Sequence, residues 1–142
     1  YWMHWLPGEA FRRDADAEGI NGLLNYGYAV LRAALGRAIV AAGYHPSIGL
    51  QHSHRANAFC LADDLIEPLR PLVDDRAREL YRAGAERLDQ EAKAKLLELL
   101  TEETAFGEET GPLMANLHRY VASLGRCFRR ESKRLEIPQP CI

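Results

Sequence analysis

Residues 20 to 43, "INGLLNYGYAVLRAALGRAIVAAG", constrain the fold of this chain more than any other stretch. Leu24, Leu31, Leu35 and Ile39 recur at helical steps, and Gly43 stands where a helix C-cap is expected. The pattern predicts a helix of about 20 residues. Gly22, Gly27, Ala29, Ala33, Ala34 and Gly36 give it a small-residue surface that neighbouring helices can approach closely, which predicts a central position.

The rest of the chain reads as helices around that one. "YHPSIGLQHSHRA" carries Pro46 and Gly49 and reads as a loop, after which Asn57 is placed to N-cap a helix starting near Ala58. Phe59, Leu61, Ala62, Leu65 and Ile66 give that helix its apolar face, and Pro68 and Pro71 are expected to kink or restart it. "DDRARELYRAGAERL" and "DQEAKAKLLELLTEE" are rich in strong helix formers and read as largely solvent-facing helices. "TAFGEETGP" reads as a break, and Pro112 opens a last helix with Leu113, Leu117, Val121, Leu124 and Phe128 on one face. "EIPQPCI" reads as an irregular tail. With no sustained alternation to indicate strands, the expected fold class is all-α, a compact bundle of about five to seven helices in a single domain covering residues 1–142.

Composition narrows the partners only by exclusion. A chain of 142 residues with 47% hydrophobic and 27% charged residues has an ordinary globular balance, and a net charge of -2 gives no bulk attraction to polyanions. Cys60, Cys127 and Cys141 match neither a disulfide framework nor zinc-ligand spacing, which favours a reducing, cytoplasmic setting. No apolar run is long enough to span a membrane. The chain opens on Tyr1 and the aromatic cluster "YWMHW", which reads as the start of a piece of a longer protein.

Chemistry concentrates in "QHSHRANAFCLADDLIEPLRP", residues 51 to 71. On a helix Asp64 and Glu67 share a face, with Asp63 about 100° away, and His52 lies in the loop just before. An imidazole with carboxylates suits Mg2+ or Mn2+, which favour oxygen donors and keep open positions for phosphate. The same residues also read as the solvated face of an amphipathic helix, with Asp64 or Glu67 paired to Arg70. "HSH" reads as a zinc chelate or as a polar loop; His4, His45 and His118 are isolated, and Cys60 reads as core. Arginines outnumber lysines, and Arg55 and Arg70 are nearest to the acidic cluster; guanidinium suits bidentate phosphate contact as well as answering carboxylates.

The wording of the sequence resolves what its statistics leave open. "LLNYGYAVL", the "GLxH" loop, "NxFxLADDLxEPxRP" and "PLMANLHRYVASL" occur in this order and extend over nearly the whole chain. Together they resemble the CRISPR-associated integrase ("Cas one"), the spacer-acquisition protein, in its type II form. The "YW" at the start is similar to a landmark of that family. The resemblance implies an α-helical carboxy-terminal lobe whose site binds Mg2+ or Mn2+ through a Glu, a His and a further acid. Carried onto this chain, the His is His52 and the acid is Glu67. Asp64 stands beside them as a secondary ligand or as a residue that orients the ligands, with Asp63 and His54 as bystanders. The family's first Glu would precede "YW", and Glu9 does not match it, so that ligand and the amino-terminal β-rich lobe are expected to be missing from this sequence.

The implied reaction is transesterification on double-stranded DNA, in which a 3′-hydroxyl attacks a phosphodiester at the end of a CRISPR repeat and joins a captured spacer to the array. The residue types suit it, because an ion held by carboxylates and imidazole can polarise the phosphate and stabilise the leaving oxygen. Arg55 and Arg70 are expected to position the DNA backbone. The implied partners are a second copy in a homodimer, "Cas two", and in type II systems "Cas nine" and an accessory subunit, all in a prokaryotic cytoplasm. The competing reading is a non-catalytic helical protein-interaction module whose carboxylates form surface salt bridges. Ranked last is a zinc hydrolase built on "HSH".

Overall fold

One helix organises the chain. In a computed structural model, which describes Trp2, Trp5, Leu6, residues 11–14 and residues 17–141, helix α1 spans Ile20–Ala41. Leu23, Leu24, Leu31, Leu35, Ala38 and Ile39 are buried along it. It packs against each of the other α-helices: α2 (Cys60–Ile66), α3 (Arg70–Arg82), α4 (Gln90–Glu98) and α5 (Leu113–Phe128). The small residues have the role their spacing predicts at Gly27, where a Cβ would come within 2.5 Å of Val73 Cγ1 on α3. Gly43 ends α1 as expected: it takes a φ of 80° and, with Tyr44, returns backbone hydrogen bonds to Val40 and Ile39.

The proline pair behaves as its chemistry dictates. Pro68 lies in a 3-10 turn, Glu67–Leu69, between α2 and α3, and Pro71 sits in the first turn of α3, where its missing N–H costs nothing. Asn57 is not an N-cap. α2 begins at Cys60 behind Phe59, and the Asn57 carboxamide oxygen accepts the Phe59 amide at 2.9 Å in a local turn. Asp89 caps α4 by accepting from the Ala92 amide at 2.9 Å.

The all-α bundle of five to seven helices is overturned by a sheet. "TAFGEETGP" is a β-hairpin, with β1 (Glu103–Phe106) paired antiparallel to β2 (Glu109–Pro112) and Phe106 opposite Glu109. Gly107, at φ 63°, supplies the positive φ that a two-residue Gly-X turn requires. Within the tail read as irregular, β3 (Gln139–Pro140) adds antiparallel to the other side of β1, giving the order β2-β1-β3. Pro140 is tolerated there because β3 is an edge strand. The reading of a break failed because each strand is four residues or shorter, too short to show a period of two.

Buried polar groups on α5 attach the sheet and tail to the helices. The fully buried Asn116 donates from Nδ2 to the Thr104 carbonyl and hydroxyl, both at 2.9 Å, and to the Gly111 carbonyl at 3.2 Å. The Ser123 hydroxyl accepts the Glu136 amide at 2.9 Å, and Tyr120 donates to the Leu65 carbonyl of α2 at 3.2 Å. Leu113, Leu117, Val121 and Leu124 are buried as expected, whereas Phe128 is half exposed and meets Tyr44 edge to face. Near the start, Trp2, Trp5 and Phe11 form one aromatic cluster, with centroids 5.0 to 5.4 Å apart. Tyr1, His4 and Glu9 lie outside the described residues. Among the described residues no helix is long and apolar enough to cross a membrane.

Candidate functional site

The loop between α1 and α2 is folded back onto α2, and Gly49 is the reason it can be. A Cβ there would lie 2.3 Å from the His52 carbonyl oxygen, 2.8 Å from Asp64 Oδ2 and 2.9 Å from Cys60 Cβ. The Pro46 carbonyl accepts the Leu61 amide at 2.8 Å and anchors the other end of the loop. Cys60 is fully buried, as expected of a core cysteine.

Asp64 then gathers the loop. Its Oδ2 accepts the Leu50 amide and, at 3.0 Å, the Gln51 amide; its Oδ1 accepts the His52 amide at 3.1 Å and meets His52 Nδ1 at 2.6 Å. A carboxylate offers roughly four acceptor positions, so this one is filled from within the chain. Burial alone would raise the Asp64 carboxyl, but the Gln51 amide, the His52 ring and the Leu50 and His52 amides hold it below the usual carboxylate value. The Asp64 hydrogen bond raises the His52 imidazole above its ordinary value against the opposing effect of desolvation, assisted by the charges of Asp64, Asp63 and Glu67. With Nδ1 directed at Asp64, Nε2 is the ring nitrogen left for other work.

Asp63 points elsewhere. Arg32 on α1 grips it through Nε at 2.6 Å and Nη2 at 3.0 Å, and Asn57 Nδ2 donates to it at 2.6 Å. Burial opposes ionisation of Asp63, but the Arg32 and Asn57 hydrogen bonds prevail and lower its carboxyl. The same guanidinium stacks 4.7 Å from the Phe59 ring centroid. Asp63 is therefore a structural ion-pair partner of α1 rather than a bystander.

Glu67, in the 3-10 turn, is more open, with its side chain 52% exposed. Arg70 Nη1 donates to both of its oxygens, at 3.0 and 3.1 Å. The salt-bridge reading thus holds for Glu67 and fails for Asp64. Tyr28, Arg32, His52, Asp63, Ile66, Glu67 and Arg70 line one cleft of about 210 Å³. A second cleft of about 240 Å³, lined by Trp2, Glu67, Arg70, Pro71 and Asp74, shares Glu67 and Arg70 with the first. Arg55 is exposed in the turn before α2, and His45, His54 and His118 do not line either cleft.

His52 and Glu67 are therefore brought to one cleft, Asp64 holds His52 from behind, and Arg70 covers Glu67. The donor types suit a hard divalent cation, but among the described residues no three His, Cys, Asp or Glu side chains are grouped as an ion would need. Tyr28 and Asp74, missed from sequence, belong to the same constellation: Asp74 is 2% exposed and accepts the Tyr28 hydroxyl. Their signal was present in the helical phase, since Tyr28 and Arg32 are one turn apart and Asp74 follows Arg70 by four.

The family of CRISPR associated protein Cas1 matches residues 12–104, a stretch that holds the whole constellation apart from Trp2. The chain belongs to the Cas1 family. The CRISPR-associated endonuclease Cas1 of Neisseria meningitidis serogroup C (strain 8013) is 37% identical over 139 residues, covering 94% of this chain and 45% of that protein. A second relative, CRISPR-associated endonuclease Cas1 2 of Pyrobaculum aerophilum, is 30% identical over 133 residues, covering 90% of this chain and 44% of that protein. The chain thus spans less than half the length of these Cas1 relatives. A solved structure, "Casposase bound to integration product", superposes with a TM-score of 0.75 over 92% of this chain and 46% of its own, at 24% identity, which shows a shared fold.

Proposed function

We propose that this chain is the mainly helical, sheet-bearing lobe of a Cas1-type DNA endonuclease and integrase, and that His52 Nε2 and Glu67 hold a divalent cation, Mg2+ or Mn2+. The observation that carries the reading is the saturated Asp64 carboxylate behind His52. It fixes the ring with one nitrogen tied and the other available, in a cleft that also contains Glu67. In this reading Asp64 orients a ligand and is not itself one. A third donor would come from an amino-terminal β-rich lobe, which the relatives' greater length leaves room for.

The bound ion would supply charge neutralisation and Lewis acidity at a phosphodiester. The chain's own residues do the rest. Asp64 would hold the proton at His52 Nδ1, the exposed Arg55 would contact the backbone of double-stranded DNA, and Arg70 would restrain Glu67, which with His52 would hold the ion. The reaction would be transesterification joining a captured spacer to a CRISPR repeat, by a homodimer working with "Cas two" and, in type II systems, "Cas nine" and an accessory subunit. The relatives' name of endonuclease and the casposase's integration product support a reaction of this class. Alone, the chain would cleave DNA weakly or not at all.

Mn2+-induced broadening of NMR signals tests the site. Broadening centred on residues 50–52 and 67, and lost in both His52→Ala and Glu67→Gln, is expected; uniform or absent broadening would remove the metal reading. The alternative of a non-catalytic interaction module draws on the Glu67–Arg70 pair and on an apolar groove between Gly36, Val40 and Phe59. It would be favoured if the full-length protein also showed no Mn2+ effect and no cleavage of plasmid DNA.

A further inference from the structure

The Glu67–Arg70 pair is not left to itself. An exposed carboxylate and guanidinium three residues apart interact only weakly, and such pairs ordinarily sample many rotamers. Here the Arg70 guanidinium carbon lies 4.8 Å from the centroid of the Tyr28 ring, within cation–π range. The ring is fixed in turn, because the Tyr28 hydroxyl donates to Asp74, buried on α3 one turn after Arg70. Burial, reinforced by the Asp74 hydrogen bond and charge and only partly opposed by Arg70, pushes the Tyr28 phenol well above its ordinary value, which favours the donor form. Arg13 approaches the same ring at 5.8 Å while bonded to Asn21 and Asn25, so the phenol is supported from the segment preceding α1 as well.

Resting on the reading that Glu67 is a cation ligand, we propose that Tyr28, anchored by Asp74, is a positioning residue that keeps the Arg70 guanidinium at the ridge between the two clefts. Arg70 has two uses for its donors. In this structure they satisfy Glu67; were Glu67 to hold a cation they would be released, and the Tyr28 ring would keep the guanidinium beside the site, where a phosphate oxygen could accept from it. Without the ring, release of Glu67 would leave Arg70 free to move into solvent. Arginine is required because only a planar group can stack on the phenol and present its edge to an anion.

The Arg70 Nε–H signal, assigned by its disappearance in Arg70→Lys, provides the test without reference to activity. In the unsubstituted chain it is expected to exchange slowly with water. In Tyr28→Leu it should exchange about tenfold faster and move to the shift of a free arginine, with Tyr28→Phe falling between them. Should Tyr28→Leu fold poorly with the Asp74 carboxylate left buried, Tyr28→Leu combined with Asp74→Leu asks the same question. An Arg70 signal unaltered by loss of the ring overturns the proposal. Adding Mn2+ separates the two readings: no broadening at His52 and Glu67 defeats the metal site, whereas the Arg70 exchange still decides the role of Tyr28.

Discussion

Two irregular regions of this molecule are held by buried polar side chains of opposite character. At the hairpin Asn116, a neutral amide, donates to acceptors on both strands. At the cleft Asp64, a charged carboxylate, collects the amides of residues 50–52 and the His52 ring. Both convert an irregular segment into a fixed one. The amide does so independently of pH and serves the fold alone, whereas the carboxylate makes the loop's conformation and the protonation of His52 one property. A fold needing only rigidity can use the first device, and a site needing a particular ring tautomer uses the second.

Removing the amide should cost the most. Asn116→Ala strands the acceptors it serves and leaves a void, and a loss of about 3 kcal/mol is expected in denaturant unfolding, with the His52 titration unmoved. A shifted His52 midpoint in that variant would show the two regions to be coupled. Gly49→Ala comes next, at about 2 kcal/mol, because its Cβ must displace the His52 carbonyl or the Asp64 carboxylate. Its amide spectrum should change at residues 45–52 and not in the hairpin.

Asp64→Asn is expected to cost about 1 kcal/mol near neutrality, since the amide retains one acceptor oxygen for the loop. Its sharper effect is on pH dependence. His52 is raised in the folded chain, so its contribution is fully present below 6.5 and fades as pH rises through the folded value. Asp64 is lowered, so its contribution is present above 3.8 and is lost as pH falls through its folded value. The stability difference between the unsubstituted chain and Asp64→Asn should therefore be widest between 3.8 and 6.5, and the His52 ring signals of the variant should titrate at lower pH. A difference that does not vary with pH would mean that His52 and Asp64 titrate independently. Smallest of all, Glu67→Gln should alter stability by no more than about 0.5 kcal/mol, the scale of an exposed pair, even as it abolishes any Mn2+ effect.

How much of this was legible beforehand follows from the length scale of each feature. The 22 residues of α1 give six helical turns of evidence, and its position, packing and cap were all readable. The four-residue strands gave no such evidence, although Gly107 followed by one residue between two Thr-containing segments was a hairpin signal that could have been weighed. At the site, spacing alone brought together His52, Asp64 and Glu67, and only the family resemblance put Glu67 ahead of Asp64. Asp64 and Glu67 share a helical face, and only the backward fold of the loop makes the first a fully used acceptor and leaves the second open. Asp63 was underrated because its partner, Arg32, is 31 residues away. Tyr28 and Asp74 were missed for the same reason, being joined across two helices rather than along one.

That last connection gives Gly27 a meaning beyond packing. A Cβ there would meet Val73 of α3, and the residues that follow these two in the chain are Tyr28 on one helix and Asp74 on the other. The missing methyl group is thus a spacer for the cleft, setting how deeply the phenol sits and hence where Arg70 rests. Any side chain at position 27 would act as a shim, opening the site from inside the core without touching one of its charges.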